Sequence, residues 1–333
     1  MYIINNYLIA VVFCFVTMLC WGSWANTSKI SSKNWPFPLF YWDYSLGLIF
    51  TALLFGLTLG SFGTGGRNFL ADIRQANLDS ILSAGIGGVV FNLSNLLIVA
   101  AITIAGLSVA FPIGVGLALV IGVILNYIKQ PQGNPFLLFT GVLLVIVAML
   151  VNALAYSKVT KSGSSSKTKG IVLSILGGII MGFFYRFVAG SMILNFMTPE
   201  SGKLTPYSAV FIFSIGVFLS NFLWNSYFMY KPVDGNKSYY KGLVKNGTLK
   251  LHLIGLAGGL IFNTGFLFNL VASGKAGPAI SYGLGQGSTM IGAAWGVFVF
   301  KEFKGAPTVI SRYLAVMFIT FIIGLGLIVS AKL

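Results

Sequence analysis

Long apolar runs separated by short polar gaps set the pattern of this chain from end to end. A bilayer hydrocarbon core about 30 Å thick takes roughly 20 apolar residues of helix. That spacing predicts ten membrane-spanning helices, over residues 6–27, 39–61, 80–103, 106–127, 135–156, 170–193, 207–230, 251–273, 277–300 and 310–331. The third and fourth spans, and the eighth and ninth, are joined by only a few residues and form tight helical hairpins. The first span is too long for the core of a signal peptide and lacks a small-x-small cleavage site, so it is retained as a helix. Connections at 157–169, 194–206 and 231–250 are the longest, and Ser162 to Lys169 is a Gly/Ser/Lys-rich linker. The expected organisation is a first five-helix unit over 1–156, a linker over 157–169 and a second five-helix unit over 170–333.

Composition agrees with an all-α integral membrane protein. Of 333 residues, 56% are hydrophobic and only 8% charged, against about a quarter charged in soluble domains. The net charge of +15 does not mark a nucleic-acid surface, because Lys and Arg fall in the gaps between apolar runs. Of the 21, fourteen lie on the side of the 157–169 linker, six on the side of the N-terminus, and Arg186 lies inside a span. The positive-inside rule then expects the linker in the cytoplasm and both termini outside. A plasma (inner) membrane location follows as an expectation. Two cysteines, Cys14 and Cys20, supply neither a disulfide framework nor a metal motif.

The chain also repeats itself. A shift of 171 residues lays Gly87-Gly88-Val89-Val90-Phe91-Asn92 over Gly258-Gly259-Leu260-Ile261-Phe262-Asn263 without a gap. Ala101, Ala105, Gly106, Gly114 and Gly116 then meet Ala272, Ala276, Gly277, Gly285 and Gly287 in the same register. Five helices is an odd number, so the two units are expected to run in opposite directions across the membrane. Inverted repeats belong to alternating-access transporters, which bind solute near the midplane between the halves.

The candidate chemistry is sparse. Arg186 lies deep in the sixth span, where an arginine is functional by default or else snorkels to the outer surface. Asp43 is the one acid placed even marginally within a span, and is the candidate for proton coupling, an interfacial helix cap being the alternative. His252 falls at a membrane boundary beside Lys250. The amides Asn92, Asn95, Asn263 and Gln286 offer both donors and acceptors to a solute. Trp21, Trp24 and Tyr282 could provide flat walls for a ring, or simply pack. No HExxH, GxSxG, CxxC or GxxxxGK[ST] motif occurs, so neither an enzyme nor ATP-driven transport in cis is expected, and no cofactor or metal is implied.

Several segments carry a family likeness. Cys20-Trp21-Gly22-Ser23-Trp24-Ala25-Asn26-Thr27, Tyr41-Trp42-Asp43-Tyr44-Ser45, Gly87 through Leu96, Gly106-Leu107-Ser108-Val109, Gly122 through Tyr127 and Trp295 through Phe303 resemble the ureide permeases. These belong to the drug/metabolite transporter superfamily. The likeness extends, less specifically, to the bacterial glucose/ribose and rhamnose porters of that superfamily. It implies a ten-helix, proton-coupled importer with inverted five-helix halves. Plant ureide permeases carry allantoin and related purine and pyrimidine compounds, and have a long central loop with a P-loop-like stretch; here that loop is short. The expected solute is therefore small, neutral and polar, of the ureide or nucleobase class, with a sugar or a passive channel as alternatives. The expected partners are this solute, protons and the lipid bilayer.

Overall fold

The computed structural model describes residues 1–31, 35–63, 65–159, 167–233 and 235–333. Residues 160–166 of the expected linker, and Lys33 and Lys161 of the charge count, lie outside the described residues. All regular structure among the described residues is helical. In chain order the helices are α1 (Tyr7–Ser23), α2 (Ala25–Ser31), α3 (Phe37–Leu57), α4 (Phe69–Gln75), α5 (Leu78–Ala105), α6 (Leu107–Lys129), α7 (Pro135–Val159) and α8 (Lys167–Ser191). There follow α9 (Pro206–Asn221), α10 (Trp224–Tyr230), α11 (Lys241–Lys245), α12 (Leu249–Ala276), α13 (Pro278–Gly285), α14 (Ser288–Ala294), a π-helical turn (Trp295–Val299) and α15 (Thr308–Ser330).

Nine stretches are long and apolar enough to cross a membrane among the described residues. They coincide with nine of the ten expected spans. The tenth, expected over 277–300, is broken at Gln286 and Gly287 into α13, α14 and the π turn. Alternate glycines at 283, 285 and 287 weaken the helix there. The first span divides at Trp24 into α1 and α2, and the seventh divides into α9 and α10. The chain is thus an all-α, multi-pass membrane protein.

The 171-residue repeat reappears in three dimensions. Shifted by that number, the bounds of α5 become those of α12, at 28 residues each. Asn77 caps α5 through the Ser80 amide, and Thr248 caps α12 through the Leu251 amide. Gly106 (φ 81°) and Gly277 (φ 88°) then turn each chain into the next helix, a left-handed conformation that glycine adopts without a Cβ penalty.

The GGxxFN motif explains how these helices dock. A Cβ on Gly88 would lie 2.2 Å from the Phe213 carbonyl oxygen of α9, and one on Gly259 2.1 Å from the Tyr44 carbonyl oxygen of α3. Only a missing side chain allows backbones to approach so closely. One turn later, Asn92 donates its amide to Ser220 Oγ (2.8 Å) and Asn221 Oδ1 (3.0 Å) on α9. Asn263 donates to the Leu48 carbonyl (2.7 Å) on α3 and to Ser214 Oγ (3.2 Å) on α9. Between glycine and asparagine stand Phe91 and Phe262, whose rings meet at 5.0 Å.

Candidate functional site

Phe91 and Phe262 lie inside an aromatic cluster that joins the two repeated hairpins. Trp21 stacks on Phe262 at 5.6 Å, Trp24 lies 4.9 Å from Tyr44, and Tyr41 stacks on Tyr44 at 5.0 Å. On the other side Phe91 touches Phe184 at 5.2 Å, and Tyr185 touches Tyr282 at 4.9 Å. The rings come from α1, the α1–α2 junction, α3, α5, α8, α12 and α13. Trp21 is anchored by its indole nitrogen, which donates to the Phe262 carbonyl at 3.3 Å. The edge of the same ring would meet a Cβ on Gly285, the last residue of α13, so Trp21 stands beside the helix break.

Polar groups punctuate the cluster. Asn95 donates to the Tyr41 hydroxyl at 3.1 Å. The Tyr185 hydroxyl donates to Asn269 Oδ1 at 2.7 Å, and Asn269 returns a bond to the Ser281 carbonyl at 2.7 Å. Tyr282 donates to the Ala118 carbonyl at 3.2 Å, and the Gln286 side chain lies against its hydroxyl. The Tyr44 hydroxyl is buried without a partner, as are the side-chain oxygens of Asn92 and Asn263. An unpaired buried polar atom costs about 1–3 kcal/mol. Asn95 and Gln286 are buried, at 8% and 7% exposure.

The structure therefore brings together Trp21, Trp24, Asn95, Tyr282 and Gln286 around one cluster, with Tyr44 as a member the sequence did not single out. Asn92 and Asn263 flank it but direct their amides into the neighbouring helices. Arg186 stands apart. It is exposed, on the same stripe of α8 as the exposed Val172, Leu176, Ile179 and Phe183, and five residues before the helix ends. An arginine there reaches the surface, as the snorkelling alternative requires.

Asp43 is 6% exposed and pairs with His252, with Oδ1 2.8 Å from Nδ1. The Trp35 indole donates to Asp43 Oδ2 at 3.3 Å, and His252 Nε2 lies 3.1 Å from the Leu243 carbonyl of α11. Gly255 makes room for the carboxylate, since a Cβ there would lie 2.4 Å from Asp43 Cβ. Sequence separation hides this pair, whose members are 209 residues apart. The only signal was that each stands in the first turns of its span.

A second ionic contact closes the same lysine-rich side. Lys29 of α2 bonds Glu302 at 2.5 Å and lies over the Phe300 ring at 3.8 Å, while Tyr156 of α7 donates to Glu302 at 2.6 Å. Burial acts to raise the Glu302 carboxyl, but Lys29 and the Tyr156 hydroxyl outweigh it and hold it below its ordinary value. On the opposite side, a cavity of about 20 Å³ lies between Gln130, Met192, Phe196, Ser273 and Pro278, room for one water rather than a solute. No cluster of three His, Cys, Asp or Glu suited to a metal occurs among the described residues.

Long apolar helices packed around a buried aromatic cluster define a polytopic membrane protein. The sequence profile described as ureide permease matches residues 40–163 and 153–331, and the chain belongs to the ureide permease family. The two matched segments meet at 153–163, where the sequence marks its linker. The chain is 25% identical to ureide permease 1 of Arabidopsis thaliana, covering 100% of this chain and 99% of that one. It is 27% identical to ureide permease 3 of the same plant, over 82% and 90%. It is 32% identical to the probable ureide permease A3 of Vigna unguiculata, over 47% and 43%. The fold aligns with a solved crystal structure at a TM-score of 0.63 and 14% identity, over 96% of this chain and 95% of that one.

Proposed function

We propose that this protein is a secondary active transporter that imports a small, neutral, ring-amide solute of the ureide or nucleobase class together with protons. Its solute site is the aromatic cluster. Trp21, Trp24 and Tyr44 provide the flat walls, and Asn95, Gln286 and the unpaired Tyr44 hydroxyl provide the polar edge. A ring amide presents N–H donors and C=O acceptors in one plane, and carboxamides answer both. The observation that carries this reading is the buried, partnerless Tyr44 hydroxyl among stacked rings contributed by both halves of the chain.

The architecture in this reading is ten spans in two inverted five-helix repeats, 1–156 and 170–333, with the 157–169 linker in the cytoplasm and both termini outside a plasma membrane. Three features support it: the equal bounds of α5 and α12, the symmetric docking of Gly88 and Gly259, and the contact between the repeat-equivalent Phe91 and Phe262. The hinge for alternating access is the break at Gln286 and Gly287. Outside that break α13 is held against α6, where Gly122 leaves room for the Tyr282 ring; inside it α14 is held against α1 at Gly22. Asp43 is the proton-coupling group. Asn92 and Asn263 set the helix spacing around the site, and Arg186 remains at its outer rim.

Thermal-shift measurements on purified protein test the solute class, because a ligand at 100 times its Kd adds about 2.7 kcal/mol to the folded state. Allantoin or uracil should raise the melting temperature, and Trp24→Ala and Tyr44→Phe should reduce that rise. A rise with sugars alone would replace the ureide reading with the sugar one.

A further inference from the structure

We propose that His252 and Asp43 together hold the coupling proton, and that its departure releases α11 from α12. The proposal rests on the proton-coupled reading above and assigns to it a site and a movement. It follows from counting hydrogens. His252 Nδ1 faces a carboxylate oxygen at 2.8 Å, and Nε2 faces a backbone carbonyl at 3.1 Å. The carbonyl can only accept, and so can the ionised carboxylate. A neutral imidazole carries one N–H and satisfies one of these contacts. Both are satisfied at once only when the assembly holds one additional proton.

Asp43 Oδ2 accepts from the Trp35 indole, so the contact left for the additional proton is Oδ1···Nδ1. In the loaded state that proton is shared between Asp43 and His252, with Nε2–H toward Leu243. Trp35 is fully buried and covers the pair, its ring edge-on to the imidazole at 5.2 Å. No other ionisable side chain among the described residues bonds to either member. Tyr41 and Tyr44 of α3 belong to the aromatic cluster, and Lys29 of α2 bonds Glu302. Asp72 of α4 bonds Arg67 and Tyr207 of α9 donates to the Tyr2 carbonyl. Tyr227 and Tyr230 of α10, Tyr240, Lys241 and Lys245 at α11, and Lys250 of α12 are exposed.

Loss of the proton has a defined outcome. The remaining ring hydrogen stays on Nδ1, because a carboxylate is a stronger acceptor than a carbonyl. The proton leaves from Nε2 to water, and the bare nitrogen then opposes the Leu243 carbonyl oxygen. An attractive contact becomes two opposed lone pairs, and α11 parts from α12. Trp42, next to Asp43, packs on Tyr240 at the start of α11 at 5.6 Å, so this movement is transmitted to the helix that carries Tyr41 and Tyr44 in the solute site.

The protein has one histidine, which makes the test direct. Protein carrying ¹⁵N-labelled histidine in nanodiscs is titrated with protons by NMR. In parallel, thiol labelling is timed at Leu243→Cys, a half-buried position that keeps its backbone carbonyl, in a background lacking Cys14 and Cys20. The expected result is that Nε2 loses its proton before Nδ1 as pH rises, and that labelling at 243 accelerates over the same interval beyond the rise that thiol ionisation itself gives. In His252→Gln the labelling rate should change with pH only as ionisation of the thiol dictates. Loss of the Nδ1 proton first, or an acceleration beyond thiol ionisation that persists in His252→Gln, would overturn the proposal. In proteoliposomes, His252→Gln should keep allantoin counterflow and lose accumulation driven by a pH gradient. If wild-type protein moves no allantoin, the solute reading fails, while the NMR and labelling results still decide this one.

Discussion

Gly259→Ala tests the docking geometry on which the site depends. The added methyl would begin 2.1 Å from the Tyr44 carbonyl oxygen and 2.8 Å from Leu48 N. An ordinary C···O approach is about 3.3–3.6 Å, so α3 and α12 must part by about 1 Å. Neither obstacle is the end of a flexible side chain, so nothing local can rotate away. The Asn263 bond to the Leu48 carbonyl, 2.7 Å long and one turn away, would stretch to about 3.7 Å and cease to be a hydrogen bond. Overpacking costs about 1–3 kcal/mol, and an interhelical bond in lipid is worth about 0.6–1.7 kcal/mol. The expected destabilisation is therefore about 2–4 kcal/mol. Gly88→Ala stands against α9 in the equivalent position and should cost a similar amount. Gly326→Ala is the control, because nothing lies within 4 Å of its Cβ; it should be neutral or stabilise by up to about 1 kcal/mol. Steric trapping in bicelles measures all three. A Gly259→Ala protein as stable as Gly326→Ala would refute the docking argument.

Arg186→Gln should leave solute affinity and the thermal shift unchanged, because the side chain lies on an exposed stripe away from the rings; a tenfold loss of affinity would return it to the site. For Glu302, the folded carboxyl lies below its ordinary value of 4.5, so its stabilising contribution is complete above that value and is lost as pH falls through the lower, folded one. Glu302→Gln should therefore melt slightly below wild type at neutral pH, by about 0.5 kcal/mol after solvent screening, and the difference should vanish on acidification; a difference that grows in acid would contradict the ion-pair account. Cysteines at Asn236 and Lys203, in a background without Cys14 and Cys20, should respectively resist and accept an impermeant thiol reagent in intact cells, and the reverse pattern would invert the proposed orientation.

Much of the fold was legible because lipid imposes one rule on every span. Apolar length alone located nine of the helices, and the GGxxFN repeat marked the two helices, α5 and α12, whose bounds prove equal. The break in α13–α14 was harder to see: glycines at alternate positions read equally as packing surfaces, and only the tertiary contacts of Tyr282 and Gly22 separate the two pieces. Trp21, Trp24, Asn95, Tyr282 and Gln286 were legible as candidates from residue type and depth, and they stand around one aromatic cluster. Tyr44 was not legible, since an interior tyrosine usually finds a partner and nothing in the sequence says that this one lacks it. Depth along α8 did not report the face of Arg186, which carries exposed apolar side chains. The partnership of Asp43 with His252 joins distant segments and was inaccessible to any local pattern.

Solute uptake into proteoliposomes under an imposed pH gradient addresses the account as a whole. Purified protein is reconstituted, the interior is made alkaline, and radiolabelled allantoin and uracil are offered separately. Coupled import predicts a transient interior concentration above the external one, lost on adding an uncoupler and absent when the gradient is removed. Uptake that only equilibrates, at a rate indifferent to the gradient, would contradict proton coupling and leave a passive pathway in its place.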